Sequence, residues 1–338
     1  MKPLERWDKG PLRMLGPEDG ASFWQPWPTL GHVTLKLWPE AFPSNRFAAG
    51  YQVLPPGGAI PEHAHRNAEE LLVVLDGEGA ASIDGVQHRL APTSLVYVGR
   101  WVRHGLTNDS QRDLTLFFCI WPPGLDHALQ AIGQPRRPGD PRPAVDLPKD
   151  FVERMAPGGF ARPDELVGPA GRPVEHADRG QAVVLGPDEG DSYWQPEPTG
   201  GYATIKLSPK NLAENHLTVV VQVVPPGGVL PVHAHARNEE IKVIVTGTGT
   251  AIVEGSEVPV EPGTLLFTGR WVTHGFRNTG DQPLTILAVF SPPDLEGVLA
   301  GIGTPRRAGE PRPPSVPWPA DVDAILSRHS LVAADPGS

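Results

Sequence analysis

The second half of this chain repeats the first, and this internal repeat constrains the fold more than any other feature. When the sequence is shifted by 170 positions, Glu5–Pro143 aligns with Glu175–Pro313 without a gap. Gly99–Val102, for example, returns as Gly269–Val272. Register kept over this length indicates a duplicated gene, and therefore two domains of the same fold. We predict domains at residues 1–148 and 173–338, joined by a linker at 149–172 whose Ala-Pro-Gly-Gly segment is typical of a loop.

Turn-forming residues are frequent and indicate many short strands. The 338 residues include 38 Gly and 41 Pro, without a collagen-like period. Apolar runs such as Leu217–Val224 separate the turns, which favours an all-β globular fold over disorder. One helix per repeat is expected, near Leu125–Ile132 and Leu295–Ile302, and the tail after Arg328 is expected to fray.

Charge and cysteine content exclude several functional classes. The formal net charge of −10 leaves no basic surface to neutralise phosphates, so no nucleic-acid partner is expected. The N-terminus has no apolar signal-peptide core, and no run approaches the ~18 apolar residues that span a bilayer. The single cysteine, Cys119, cannot form an internal disulfide and suits a reducing compartment. We therefore expect a cytoplasmic protein without a membrane partner.

Each copy carries the same pattern of histidine, glutamate, glycine, proline and asparagine. In the first copy the order is Gly57, His63, His65, Glu70, Gly77, Pro92, His104 and Asn108. In the second copy it is Gly227, His233, His235, Glu240, Gly247, Pro262, His274 and Asn278, at unchanged spacings. A single His-x-His pair is usually an ordinary core or surface feature. Two copies with every spacing kept favour a functional site.

This pattern resembles the two signature motifs of the cupin superfamily over most of both halves. The resemblance implies an all-β fold of two tandem cupin (jelly-roll-like, double-stranded β-helix) barrels with short helices. It implies one divalent metal per domain, held by two equivalent sets of ligands. These are His63, His65, Glu70 and His104 in the first domain and His233, His235, Glu240 and His274 in the second.

Strand geometry agrees with that ligand set. Alternate side chains of a strand share a face, so His-x-His directs both imidazoles into one barrel interior. Three neutral nitrogens and one oxygen suit Fe(II), Mn(II), Ni(II), Cu(II) or Zn(II), and the ligands alone do not select among these ions. Glu69 and Glu239 are rival carboxylates one residue earlier, although the spacing to the following glycine favours Glu70 and Glu240.

Residues around the predicted metals suggest further roles. Lys242 should point inward beside the second metal, where the first copy has Leu72, either as a catalytic base or substrate anchor or as a lysine whose stem reaches the barrel mouth. Glu70 and Glu240 are the other candidate catalytic groups. Arg100, Trp101, Arg270 and Trp271 are candidate substrate-binding residues, with local ion pairing and core packing as the alternatives.

Three functions compete on this evidence. The leading one is a dioxygenase that uses O2 to cleave a small aromatic, flavonol-like or diketone substrate. The alternative is a redox-neutral metal-dependent decarboxylase, isomerase or lyase, and a ligand-binding or storage protein is the third. Oxalate is a poor candidate substrate, because oxalate decarboxylases carry an arginine before the His-x-His and a tryptophan after the glutamate. This chain has Ile60 and Leu71 at those positions.

A homo-oligomer, a dimer or larger, is also expected. Such assemblies are common in the superfamily that the chain resembles. The Trp-Gln-Pro arm at residues 24–26, repeated at 194–196, is expected to cross to the other domain or to a neighbouring subunit.

Overall fold

The computed structural model describes residues 9–42, 46–161, 163–167, 173–213 and 216–333. Most of them form short strands, and they divide into two compact units. The first domain is Glu18–Pro187, and the second is Asp188–Ser338 together with the chain up to Pro17. The predicted all-β fold with two domains and short helices is confirmed.

The elements follow the repeat. The strands are β1 (Leu12–Leu15), β2 (Ala21–Trp24), β3 (His32–Leu37), β4 (Ala48–Leu54), β5 (Ala59–His63), β6 (Glu69–Asp76), β7 (Gly79–Ile83), β8 (Val86–Leu90), β9 (Leu95–Val98), β10 (His104–Thr107), β11 (Leu114–Trp121), β12 (Gln134–Pro135), β13 (Ala182–Leu185), β14 (Asp191–Trp194), β15 (Tyr202–Leu207), β16 (Thr218–Val224), β17 (Val229–His235), β18 (Glu239–Thr246), β19 (Gly249–Val253), β20 (Ser256–Val260), β21 (Leu265–Thr268), β22 (His274–Arg277), β23 (Leu284–Ser291), β24 (Thr304–Pro305) and β25 (Leu331–Ala333). The helices are α1 (Leu125–Ile132), α2 (Phe151–Met155), α3 (Pro163–Leu166), α4 (Leu295–Ile302) and α5 (Val322–Arg328), with a 3₁₀ turn at Ala156–Gly158. The two helices predicted from the repeat, α1 and α4, are confirmed. None of the helices within the described ranges is long and apolar enough to cross a bilayer.

Two antiparallel sheets build the first domain. The larger has the strand order β12-β2-β3-β4-β11-β6-β9-β13, and the smaller has the order β5-β10-β7-β8. The apolar core draws residues from both, such as Leu72 and Phe118 from the larger sheet and Ile83 and Leu106 from the smaller. Side chains that point into the space between the sheets are therefore removed from water.

The second domain repeats this arrangement with one strand more in the smaller sheet. Its sheets have the orders β1-β21-β18-β23-β16-β15-β14-β24 and β20-β19-β22-β17-β25. The added strand β25 pairs with β17, placing Leu331 opposite His235 and Ala333 opposite His233. The expectation that the tail frays after Arg328 is therefore wrong as far as Ala333, because backbone hydrogen bonds hold these residues to the sheet.

The compact units differ from the predicted domain bounds because of two edge strands. In the second domain β1 pairs with β21, with Leu12 opposite Thr268. In the first domain β13 pairs with β9 in the same register, with Ala182 opposite Val98. The strand before each Trp-Gln-Pro motif, β1 or β13, thus pairs with a strand of the other copy of the repeat.

The Trp-Gln-Pro motif itself stays in its own domain. Gln25 Nε2 donates a hydrogen bond to the Leu129 carbonyl near the end of α1, and the Arg136 guanidinium lies 5.3 Å from the centre of the Trp24 ring. These contacts hold residues 24–26 inside the first domain. The predicted crossing to the other domain is therefore wrong for the motif, although the strand ahead of it does pair with the other copy, and a crossing to a neighbouring subunit stays a prediction.

Asn108 and Asn278, the last residues of the repeated pattern, organise turns. Asn108 Nδ2 donates to the carbonyls of Leu54 and Arg112, each at 2.7 Å. Asn278 makes the same two bonds, to Val224 and Gln282, at 2.8 Å. A buried amide that satisfies two backbone carbonyls explains why this residue recurs at its spacing.

His32 on β3 gives a pH-dependent contribution to stability. Burial, and then the charge of Arg136, lowers its pKa from 6.5 to about 4. The folded state therefore favours the neutral ring, so the contribution is complete above pH 6.5 and falls as the pH drops from 6.5 to about 4. After allowance for partial exposure, the loss should be about 2 kcal/mol.

The repeat provides the control for this prediction. Tyr202 occupies the equivalent position, and its ring packs against Trp194 at 5.6 Å as His32 packs against Trp24 at 5.4 Å. We expect His32→Tyr to flatten the pH dependence of the free energy of unfolding between pH 6.5 and 4, measured by urea denaturation. Identical pH profiles for the two proteins would refute this assignment.

Candidate metal centres

The two sheets of the first domain bring four ligand side chains together. His63 ends β5 and lies opposite His104 on the neighbouring β10. His65 follows two residues after His63 and is fully buried. Glu70 comes from the other sheet, on β6, where it pairs with Val98 and Ile120. The cluster therefore joins the sheets at one end of the core.

Distances within this cluster fit a single ion. One ligand atom from each of the four residues lies within 4.8 Å of the others. Glu70 Oε2 is 3.0 Å from His104 Nε2 and 3.6 Å from His65 Nε2. The centres of the His63 and His104 rings are 4.2 Å apart. The four residues predicted as ligands of the first metal do converge.

Backbone carbonyls fix the tautomer of each histidine in this cluster. Nδ1 of His63, His65 and His104 lies 2.9–3.0 Å from the carbonyl oxygens of Pro61, Gly158 and Val102, respectively. A carbonyl only accepts hydrogen bonds, so Nδ1 carries the proton and Nε2 presents a lone pair to the cluster. Such a bond to the outer nitrogen is the usual support of a metal-binding imidazole.

The electrostatics favour a cation at the centre. Burial, with the neighbouring rings of His104 and His65, lowers the pKa of His63 well below 6.5. Burial alone would raise the pKa of Glu70, but the imidazoles of His104 and His65 outweigh it and hold that pKa well below its usual range. The pKa shifts of His63 and Glu70 thus favour a neutral ring beside an ionised carboxylate. His65 Nε2 is buried without a hydrogen-bond partner among the described residues, as expected for an atom that serves a metal.

The second domain holds the same cluster with one addition. Glu240 Oε2 lies 2.9 Å from His274 Nε2 and 3.4 Å from His235 Nε2, and His233 completes the set. Burial, and then the nearby charge of Lys242, lowers the pKa of His274 to about 4. Its Nδ1 donates to the Val272 carbonyl, so Nε2 and the carboxylate oxygen are two acceptors in contact. They repel each other unless a cation lies beside them, and Lys242 Nζ, which pairs with the same carboxylate oxygen, is one such cation.

Lys242 is buried next to this second cluster, as the strand alternation predicts. Its Nζ forms an ion pair with Glu240 Oε2. Burial lowers the pKa of Lys242, and the charge of Glu240 opposes that effect. Leu72 takes the equivalent place in the first domain and lines a cavity there. A catalytic role for Lys242, Glu70 or Glu240 stays a prediction.

The choice between adjacent glutamates follows from the strand face. Glu70 and Glu240 join the clusters. Glu69, one residue earlier, points to the other face and accepts a hydrogen bond from the Tyr97 hydroxyl at 2.8 Å. Both clusters therefore use the later glutamate of the pair.

A cavity of about 450 Å³ opens beside the first cluster. His63 and Glu70 line it, together with apolar side chains that include Leu72, Leu106 and Phe118. Trp27, Leu147 and Val152 also belong to its lining and are exposed, so the rim is apolar too. Among the residues that the structure describes, which leave out residue 162 next to the lining residue Ala161, no lysine or arginine lines the cavity.

Part of the predicted linker covers this centre. The Phe160 ring stacks on His63 with centroids 4.7 Å apart, and the Gly158 carbonyl accepts the hydrogen bond from His65. Backbone bonds from Arg66 to Gly159 and from Ala161 to Ala64 attach the segment. Sequence comparison missed these residues, because they lie beyond the aligned part of the repeat and Ala-Pro-Gly-Gly is typical of a loop.

The four candidate substrate residues lie in the turns before His104 and His274. The amide groups of Trp101 and Trp271 donate to the carbonyls of His65 and His235. The Trp101 ring stacks on His176 at 3.6 Å, and Arg100 lies 3.8 Å from Asp178. Trp101, Trp271, Arg100 and Arg270 are not among the residues that line the cavity. Substrate binding by these residues stays a prediction.

Comparisons with known proteins agree with this architecture. Residues 50–121 and 220–290 match the sequence model of the cupin domain family. An oxalate-binding protein from Thermotoga maritima is 36% identical over 66 residues, which are 20% of this chain and 54% of that protein. Quercetin 2,3-dioxygenase from Bacillus subtilis is 22% identical over 235 residues, 65% of this chain and 66% of that enzyme. The matches thus cover about half of the length of the first relative and just under two thirds of the length of the second.

A solved structure shows the same fold. Oxalate decarboxylase from Bacillus subtilis, in a single-residue variant, superimposes with a TM-score of 0.52 and 16% identity. The match covers 82% of this chain and 76% of that one. At this identity the likeness concerns the fold alone.

Proposed function

Because this chain is a bicupin, with a three-histidine, one-glutamate cluster in each cupin domain, we propose that it is a metal-dependent dioxygenase that cleaves a small aromatic substrate in its first domain. The observation that carries the proposal is the apolar cavity that reaches His63 and Glu70. Its volume of about 450 Å³ suits a single small molecule. Flavonol-like compounds and diketones are the substrate classes to test.

The cluster supports this chemistry through the protein's own groups. A redox-active first-row ion, when bound, supplies open coordination positions and the electron exchange that O2 chemistry requires. The carbonyls of Pro61, Gly158 and Val102 hold the three imidazoles in the ligating tautomer. Glu70 faces the cavity as an ionised carboxylate, so it can accept a hydrogen bond from a substrate hydroxyl.

The cavity wall selects the substrate class. Phe118 and Phe160 offer aromatic faces near the cluster, and the Phe160 ring stacks on His63. Gln25 and Gln52 supply polar groups that could orient a carbonyl or hydroxyl. Among the described lining residues a small dianion such as oxalate would meet no cationic side chain, and burying it unpaired would be costly.

A redox-neutral metal enzyme is the second candidate, and the buried Lys242–Glu240 pair favours it. A lysine beside a metal site can hold an anionic substrate or move a proton, as decarboxylases and isomerases require. Turnover would then take place in the second domain. The dioxygenase proposal is preferred because the substrate-sized cavity lies beside the first cluster.

Oxygen consumption separates the two candidates. The full chain would be stripped of metal, reloaded separately with Fe(II), Mn(II), Ni(II), Cu(II) or Zn(II), and tested on flavonols, dihydroxyaromatics and diketones in an oxygen electrode. We expect uptake with one or more of the redox-active ions and none with Zn(II). CO2 release or isomerisation without oxygen uptake, supported equally by Zn(II), would favour the redox-neutral candidate. No uptake with any metal would contradict the dioxygenase proposal.

A further inference from the structure

In the second domain a basic side chain, Lys242, faces the carboxylate of Glu240. Lys242 is only 3% exposed, and its Nζ pairs with Glu240 Oε2. The same oxygen is the one nearest to His274 Nε2 and His235 Nε2. The lysine therefore forms its ion pair with the same carboxylate oxygen that lies closest to the histidine nitrogens.

The surroundings of Lys242 differ from those in the first domain in a coordinated way. Phe276 and Phe290 replace Leu106 and Ile120 of the first copy, and their ring centres lie 5.9 and 5.7 Å from Nζ. Aromatic faces attract an ammonium group, and a carboxylate does so more strongly. Three replacements together thus build a buried place for a cation, where the first domain has three aliphatic side chains.

We propose that Lys242 is a built-in counter-ion of Glu240 that weakens divalent-metal binding at the second centre, so that the first centre is loaded preferentially. A metal that enters the second centre has to share Glu240 with an ammonium group in the same buried space. Like charges that water does not screen repel strongly. In the first domain the equivalent residue, Leu72, is uncharged and would not compete with a metal for Glu70.

Single-centre variants of the full chain test this proposal. His104→Ala removes a ligand of the first centre and keeps the second centre intact. His274→Ala removes a ligand of the second centre and keeps the first intact. Each is titrated with Zn(II) against a chromophoric chelator. We expect the dissociation constant of the second centre to be larger by roughly tenfold or more. Adding Lys242→Leu to His104→Ala should tighten binding by a similar factor, and adding Leu72→Lys to His274→Ala should weaken it.

Two controls keep the outcome interpretable. Lys242→Met tests the same loss of charge with a side chain closer in length, and circular dichroism checks the fold of every variant. Equal affinities of the two centres, or removal of Lys242 without a gain in affinity, would overturn the proposal. The inference rests on the proposed function only in treating both clusters as metal sites. Because no substrate is present, a failed dioxygenase assay would leave the binding result intact.

Discussion

Replacing His63 with Ala is expected to reduce oxygen consumption by at least about a hundredfold, whereas His233→Ala should cost less than about tenfold. His63 presents Nε2 to the first cluster and lines the cavity in which the substrate is proposed to bind. Its loss removes one of three nitrogen ligands at that centre. His233 has the same place in the second cluster. Comparing the two variants therefore shows which domain performs the reaction.

The measurement combines activity with metal content. Oxygen uptake at saturating substrate is followed while elemental analysis reports how much metal each variant retains. Metal loss that accompanies the activity loss in His63→Ala would agree with the proposal. If His233→Ala lost as much activity while the first centre kept its metal, turnover would belong to the second domain or would require both.

Gly77→Ala should be the more damaging of two glycine substitutions, lowering the free energy of unfolding by at least about 3 kcal/mol. Gly77 follows β6 with φ near 82°. A Cβ atom there would lie 2.1 Å from the Asp113 carbonyl oxygen, so the backbone itself would have to move. The strain of left-handed backbone and a steric clash are therefore combined at one position.

Gly57→Ala is the matched control. Its φ is 77°, and a Cβ atom at this position would meet nothing within 4 Å. The left-handed conformation alone should cost about 1 kcal/mol. Urea denaturation of both variants separates the conformational cost from the steric cost. Equal losses in the free energy of unfolding would mean that the turn after β6 relaxes to make room for the added Cβ. The spacing from Glu70 to Gly77 would then not depend on the close approach of Gly77 to the Asp113 carbonyl.

The convergence of the eight candidate metal ligands could be predicted from the resemblance to the cupin motifs, and two simple rules agree with it. Alternation along a strand sets which side chains share a face, and duplication shows which spacings are kept. The same alternation correctly turned Lys242 inward. It could not reveal the cavity, because an open volume depends on how side chains from different strands, such as Leu106 and Phe118, pack together.

Phe160 and Leu331 show where such rules fail. Phe160 lies opposite His65, and Leu331 lies opposite His235. Both come from segments beyond the aligned repeat, so no second copy marked them. Their positions depend on tertiary contacts rather than on local periodicity.

The edge strands could not be assigned for a different reason. β1 and β13 stand 170 residues apart and are equivalent, as are their partners β21 and β9. Pairing within a copy and pairing with the other copy therefore bury similar edges. Duplication therefore leaves two alternative pairings that local periodicity does not separate, even though β1 and β13 share only their last residue type, Leu15 and Leu185.

This exchange has a consequence for how the protein is made. During translation β1 leaves the ribosome some 250 residues before its partner β21. At about 5–20 residues per second, the first strand waits for more than ten seconds with its backbone unpaired. A recombinant half that begins at residue 173 would lack β1, and unless its own β13 took that place the bare edge of β21 would invite aggregation.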